Sequence, residues 1–349
     1  MIGKWLSFIG NLVHRRGGSS DTRARNRALT THNTYQIEPG QIQTIDYSSA
    51  EFDAFADRSR RHVDAMARLS DAGRADWPPA YVDPFPGLVN AVPEISAADL
   101  TVDVVGGAVA HHGVLLIRGL LNNEQVAETR AVQDRIKATS LLAPPRDTEW
   151  YSPFAGKSKH EHALRIRTQS RGGNWLADSP LGLTKVLRLL ETVGVVDVLQ
   201  EHFQERPAIS LQKSTLRCVQ PEPQSSGWHQ DGSFLGKDVR SMNVWVALSP
   251  CGGSIPASGI ELIPHRFKEI VPPSPTLGIA TIPFEVVEDI KKIHPAVLPE
   301  FAPGDALIFD ELLVHRTSLP TGVSTVRYAL ECWFFAPSHS SPTYLPFLA

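Results

Sequence analysis

"APGDALIFDELLVHRTSLP", residues 302–320, places turn chemistry directly before a run of apolar residues and ends that run with a histidine. In Pro303-Gly304-Asp305 each residue favours a tight reversal: proline presets φ, glycine tolerates positive φ, and aspartate hydrogen-bonds nearby backbone. The stretch Asp305 to Ser318 then reads as a buried strand. Working outward, the same texture recurs in "AISLQKSTLRCV" (208–219), "SMNVWVALSP" (241–250), "GIELIPH" (259–265) and "VRYALECWFFAP" (326–337). Short β-type runs separated by turn signals predict a sandwich or barrel, its main strands within 206–337. Upstream, residues 47–205 are mainly helical. Helices are expected near 50–72, 97–111, 123–138 (opened by Asn122 and Asn123) and 180–203, with a short strand in "GVLLIRGLL" (113–121). Residues 47–349 are thus expected to form one domain.

The remaining segment, 1–46, begins "MIGKWLSFIGNLVHRR", whose apolar Trp5, Phe8, Ile9, Leu12 and Val13 follow helical spacing. It is too short to span a bilayer and lacks a small-residue cleavage site. Residues 2–16 are expected to dock on the protein's own body, or to touch a membrane surface or partner with the help of Arg15, Arg16, Arg23, Arg25 and Arg27. The linker that follows is rich in Gly, Ser, Thr, Arg and Asn.

A chain of 349 residues, 42% hydrophobic and 20% charged, can bury a sizeable core. Its formal net charge of −3 gives no general attraction to phosphate backbones, so nucleic acid is not expected as a partner. Three widely spaced cysteines (Cys218, Cys251, Cys332) form no disulfide framework or CxxC site, which predicts a reducing, cytoplasmic setting.

Two sequence-distant stretches carry the chemistry. "SSGWHQDGSF", residues 225–234, sets His229 and Asp231 two positions apart. In an extended strand these share a face and can aim an imidazole and a carboxylate at one point. His315, at the end of the opening stretch, is the third candidate. Two histidines and one carboxylate leave coordination positions open, the arrangement suited to non-haem Fe(II) oxygenases. Arg327, on the last predicted strand, can extend a guanidinium to a carboxylate in a bidentate pair. Thr317 lies on the same strand face as His315 and can bond that carboxylate too.

His-x-Asp, a distal His, and Arg twelve residues on resemble the Fe(II)/2-oxoglutarate-dependent dioxygenases. Within them, "WHQDGSF" and "PGDALIFDELLVHRTS" look like the phytanoyl-CoA dioxygenase (PhyH) family. The resemblance covers roughly residues 97–337. It implies a mainly β fold with flanking helices, around a double-stranded β-helix (jelly-roll, cupin-like) core. It also implies Fe(II) held by His229, Asp231 and His315, the 2-oxoglutarate C5 carboxylate anchored by Arg327 and Thr317, and dioxygen as the oxidant. Gln212, on the strand before His-x-Asp, resembles a cosubstrate-contacting glutamine of some relatives. Arg165, Arg167 and Arg171 lie where some members carry a further basic contact.

The implied activity is hydroxylation of an unactivated C–H bond of a small-molecule metabolite, with release of succinate and CO2. Asp231 argues against halogenation, for which relatives replace the carboxylate by a small residue. "HRTSLPTGVSTVRYAL" lacks the Arg-x-Asn-x-Thr-x-Arg run of the nucleic-acid demethylating branch. The rival readings are a catalytically silent jelly roll that binds a ligand or partner, and a zinc hydrolase built on the same three ligands. Substrate choice is assigned to loops 140–180 and 232–240, containing Trp150, Tyr151, Trp175, Phe234 and Lys237. Glu331 is expected to pair with Arg327, meet substrate or lie solvated at a strand end, Gln230 to turn away from the metal, and Trp228 to act as support. His111 and His112 are expected to end a helix and His265 to close a strand, while His160-Glu161-His162 reads as polar surface.

Overall fold

The computed structural model describes residues 61, 77–141, 149–153, 159–221, 226–236, 238–274, 276, 280–318, 322–341, 344 and 346–349. Segment 1–46, Lys237 and, apart from Arg61, the helix expected at 50–72 lie outside these residues. In chain order the elements are β1 (Glu94–Ser96), α1 (Val102–His112), β2 (Val114–Arg118), α2 (Asn123–Ser140), α3 (Lys159–Ser170), β3 (Gly173–Trp175), α4 (Pro180–Thr192) and α5 (Val195–Phe203). Next come β4 (Ala208–Ser210), β5 (Thr215–Val219), α6 (Gly232–Leu235), β6 (Ser241–Ala247), β7 (Cys251–Gly252), β8 (Ile260–Leu262) and α7 (Phe284–Ile293). The C-terminal part holds β9 (Glu300–Phe301), β10 (Ala306–Phe309), β11 (His315–Thr317), β12 (Arg327–Phe335) and β13 (Pro346–Leu348). Among the described residues no helix is long and apolar enough to cross a membrane.

Local chemistry sets the element ends. Asn122 opens α2 with a reciprocal box: its side chain accepts from Gln125 N–H, and the Gln125 side chain accepts from Asn122 N–H. The single helix expected at 180–203 is two helices. Gly194, at φ +77°, reverses the chain between α4 and α5, a conformation a side chain would disfavour. His111 and His112 do end α1, and residues 160–162 lie in α3. Helix α7 falls where no element was expected.

The largest sheet runs β1-β2-β10-β6-β12-β4-β13, with β5 pairing both β12 and β3. All its pairings are antiparallel except β1 with β2. Two smaller sheets, β11-β8 and β7-β9, complete the β structure. One core cluster joins the three: Leu116, Trp245, Ala247, Leu307, Phe309 and Ala329 from the large sheet pack with Cys251, Ile260, Leu262 and Phe301 from the small ones. Strands of one chain thus close over one another around a shared interior, the double-stranded β-helix with flanking helices. Removing a side chain such as that of Leu307, which is fully buried, would cost about 2–5 kcal/mol.

The Pro-Gly-Asp turn fastens this core. Gly304 sits at φ +95°, and a Cβ there would meet the Leu121 carbonyl oxygen at 2.1 Å, so only glycine fits. Asp305 accepts hydrogen bonds from Gly119 N–H and Ala302 N–H, both at 2.9 Å, and from Arg118 at 2.7 Å. Beyond it, the strand expected over 305–318 is interrupted. Asp310 turns the chain by accepting from Leu312 N–H at 3.0 Å, which sends β10 to the large sheet and β11 to a small one. Residues 208–219 are likewise two strands. Between them Leu211, Gln212 and Lys213 form a turn, closed by a hydrogen bond of 3.1 Å from Ser214 N–H to the Ser210 carbonyl.

Candidate metal centre

His229 and His315 meet through their backbones. They form an antiparallel bridge in which each N–H donates to the other's carbonyl at 3.0 Å. Residues directly opposite in such a pair project to one side, and here the ring centroids lie 4.4 Å apart at 47°. Asp231 arrives differently from the sequence expectation. It is not in extended strand but has helical dihedrals (φ −63°, ψ −32°) and opens α6, so a turn carries its carboxylate back toward the two rings. Its Oδ1 lies 3.6 Å from His229 Nε2 and 3.9 Å from His315 Nε2. Among the described residues this is the one group of three or more His, Cys, Asp or Glu side chains arranged to hold a metal ion.

Hydrogen bonds at the far side of each ring fix what the near side offers. His229 Nδ1 bonds the Gly227 carbonyl at 2.8 Å and His315 Nδ1 bonds that of Leu313 at 3.1 Å. A carbonyl only accepts, so both Nδ1 atoms carry the proton and both Nε2 lone pairs face Asp231. Burial, and then His315 itself, pushes His229 down to about 4; burial also lowers His315. Asp231 is pushed up to about 6 by burial, and neighbouring cations and Asn243 restrain the rise. At neutral pH the cluster is therefore two imidazole lone pairs and a carboxylate converging at separations too long for hydrogen bonds. Acceptors facing acceptors need a cation between them. Both Nε2–Oδ1 separations are below about 4.2 Å, twice a metal–nitrogen bond of about 2.1 Å, so one ion would fit between them.

The surroundings hold these groups in place. Trp228 packs in a buried cluster with Ile263, Ile282, Val287 and Val314. Gln230 turns away from the cluster: its amide donates to the carbonyls of Leu312 (2.6 Å) and Glu269 (3.2 Å) and accepts from Val271 N–H (2.7 Å). Asn243, inward-facing on β6, hydrogen-bonds Asp231, and its Oδ1 is buried without a partner. The sequence reading passed over Asn243, although a lone amide inside an apolar strand was the available signal.

Arg327, Ala329, Glu331 and Trp333 alternate along the inward face of β12. Arg327 is 4% exposed, donates to the Ser258 carbonyl at 3.2 Å, and leaves its Nε without a partner. No carboxylate within ion-pair distance meets it among the described residues, and burial draws its pKa below the usual guanidinium value. Glu331 does not pair with it, against one expectation. β5 lies against β12 with Arg217 opposite Ala329, and Glu331 takes Arg217 Nε at 2.7 Å and a terminal nitrogen at 2.6 Å, plus Trp333 Nε1 at 3.0 Å. Burial alone would raise Glu331, but Arg217 and these hydrogen bonds hold it at about 2.

The other sequence candidates divide. Thr317 lies two residues beyond His315 on β11, its N–H donating to Ser226 Oγ at 2.7 Å. Gln212 is in the turn between β4 and β5 rather than on a strand, because the chain breaks where a continuous run was expected. Arg165 is committed to Asp178, at 2.7 and 3.0 Å, and to the face of Trp175; Arg167 and Arg171 are exposed. Trp175, Trp245 and Trp333 are all core residues, and Trp333 also faces Phe234 and Lys213.

Residues 109–254 match the phytanoyl-CoA dioxygenase (PhyH) family, a span that contains His229 and Asp231 and ends before His315. No curated protein sequence matches the chain. Solved structures similar to it include EctD from S. alaskensis with 2-oxoglutarate and 5-hydroxyectoine (17% identity, 77% of this chain and 86% of that one, TM-score 0.47). Another is the epimerase SnoN in complex with Fe3+, alpha ketoglutarate and nogalamycin RO (15% identity, 66% and 82%, TM-score 0.46). A third is AviO1 from Streptomyces viridochromogenes (16% identity, 66% and 93%, TM-score 0.44). Residues 109–254, the His-x-Asp segment among them, thus match the phytanoyl-CoA dioxygenase (PhyH) family, as the resemblance implied.

Proposed function

We propose that the chain is an Fe(II)- and 2-oxoglutarate-dependent dioxygenase that hydroxylates a C–H bond of a small-molecule metabolite. The observation that carries this reading is the cluster itself: two Nε2 lone pairs and one carboxylate converge on one point, a donor set suited to a metal ion. His229, Asp231 and His315 would hold the iron, a donor set that leaves positions for exogenous ligands. When bound, iron and 2-oxoglutarate supply the oxidation of C–H to C–OH by dioxygen, with succinate and CO2 as coproducts.

The protein's own residues bind and orient. The carbonyls of Gly227 and Leu313 keep both imidazoles in the tautomer that presents Nε2 inward. Asn243 steadies Asp231. Arg327, buried with an unpartnered Nε and no acid, supports the reading because it lacks an anion, and the distal carboxylate of 2-oxoglutarate is an anion of the right kind. Thr317 and Gln212 are assigned to the same cosubstrate, Thr317 from its place beyond His315 on β11. The interior lined by Trp245, Phe309 and Leu313 excludes bulk water.

Anaerobic addition of Fe(II) and 2-oxoglutarate should give a visible metal-to-ligand charge-transfer band. His315→Ala should abolish both the band and succinate formation. Full iron-dependent succinate formation by His315→Ala, or activity that persists with zinc and without oxygen, would overturn the assignment.

A further inference from the structure

Lys213 has no role in the reading above. It occupies the turn between β4 and β5, half-buried, with its ammonium 4.3 Å from the ring centroid of Phe234, 4.8 Å from Trp333 and 5.4 Å from Tyr344. Phe234 and Trp333 are themselves stacked, with centroids 5.6 Å apart. Ring faces attract a cation but are poor hydrogen-bond acceptors. Among the described residues no carboxylate or carbonyl takes any of the three ammonium N–H groups, and unpaired donors in such a place are costly.

The box belongs to the metal centre. Phe234 rides on the α6 turn that Asp231 opens, its N–H donating to the Asp231 carbonyl at 3.1 Å. Trp333 lies opposite Asn243, the residue that hydrogen-bonds Asp231. Lys213 feels the charges of both Asp231 and Glu331. Yet Glu331 is already neutralised by Arg217, and Asp231 would be neutralised by the metal. One positive charge is left over. Arg327 and Trp333 are six residues apart on the same strand face, about 20 Å of extended chain. Lys213 therefore stands toward the opposite end of that face from the residue assigned to the cosubstrate.

We propose that Lys213 receives a free carboxylate of the substrate beside the metal centre, an assignment that rests on the dioxygenase reading. The aromatic walls hold the ammonium in one place, and the incoming carboxylate supplies the missing acceptors. A single left-over ammonium matches a monoanion; a phosphate dianion would bring one negative charge more than the site can pair. The substrate is accordingly a carboxylic acid oxidised at a carbon reached from its own acid group.

The test uses the full chain loaded with Fe(II) and 2-oxoglutarate under nitrogen. Monocarboxylates from acetate to 3-phenylpropionate and their primary amides are titrated by ligand-observed NMR. In the wild type at least one acid should bind about tenfold tighter than its amide, the size of a lost charged hydrogen bond. Lys213→Met should erase that preference and leave 2-oxoglutarate affinity, read from the charge-transfer band, unchanged; Lys213→Arg should keep part of it. Lys213→Gln replaces the methionine variant if that variant does not fold. The proposal fails if no acid outbinds its amide, if the preference survives in Lys213→Met, or if that variant weakens 2-oxoglutarate instead. A wild type that prefers acids but shows no band points to failure of the dioxygenase reading, not of the carboxylate site.

Discussion

Two pairs of histidines lie close together in this protein, and they differ in what stands between them. His229 and His315 are backbone partners whose Nε2 atoms converge on Asp231. His265 and His294 stack nearly parallel, centroids 3.7 Å apart at 15°, against an open cavity of about 480 Å³ also lined by His111 and His112. The second pair is richer in imidazole, yet His112 is engaged by Asp83 and His294 by Asn90, and no carboxylate closes a three-ligand group there among the described residues. Proximity of histidines does not make a metal site. What makes the first pair a candidate is a carbonyl two residues before each ring, which fixes the proton on Nδ1, and a turn that returns a carboxylate to the lone pairs.

The largest effect should come from exchanging the two pairs as targets. His315→Ala should eliminate Fe(II) binding in an anaerobic titration, whereas His294→Ala should leave it unchanged; equal losses would erase the distinction. Next, Arg327→Ala should raise the 2-oxoglutarate concentration needed for half-maximal succinate formation about 10- to 100-fold through loss of a buried charged hydrogen bond, with Arg327→Lys between the two. Asn243→Ala should lower iron affinity about tenfold, the usual size of an effect transmitted through a ligand's hydrogen-bond partner, with no change in fold by circular dichroism.

The smallest effect concerns a histidine that belongs to neither pair. His202 is packed among Trp77, Tyr81 and Phe203, with Nδ1 3.0 Å from the Tyr81 hydroxyl, and burial pushes it down to about 4. Its unfolded value is 6.5, so the unfolded chain binds the proton first. The neutral residue's contribution is complete above about 6.5 and is lost as pH falls toward about 4. Melting temperature should drop over that interval by several degrees, on the order of 3 kcal/mol at most, and His202→Phe should flatten the dependence. An unchanged slope in that variant would assign the acid sensitivity elsewhere.

The helices and the β-rich half were legible because each depends on local chemistry, and His229, Asp231 and His315 stood out as candidates by residue type and spacing. Pro303-Gly304-Asp305 announces a turn, and Asn122 with Gln125 announces a helix start. Pairings between strands were not legible. That Glu331 meets Arg217 and not Arg327 follows from the alignment of β5 with β12, which no single segment encodes. Lys213 escaped notice because residues 208–219 look like one unbroken β run, and only the turn inside it lifts the lysine onto the aromatic rings. Strand alternation was the expected route for Asp231, but a helical turn brings its carboxylate to the two imidazoles.

The bridge between His229 and His315 has a further consequence. The two imidazoles share a side only while these residues stand directly opposite each other, and a shift of one position along either segment would send one ring to the other face. On the dioxygenase reading, iron capture would therefore proofread chain alignment. A molecule that closes its barrel one residue out of step keeps every ligand in its sequence and yet cannot hold the ion.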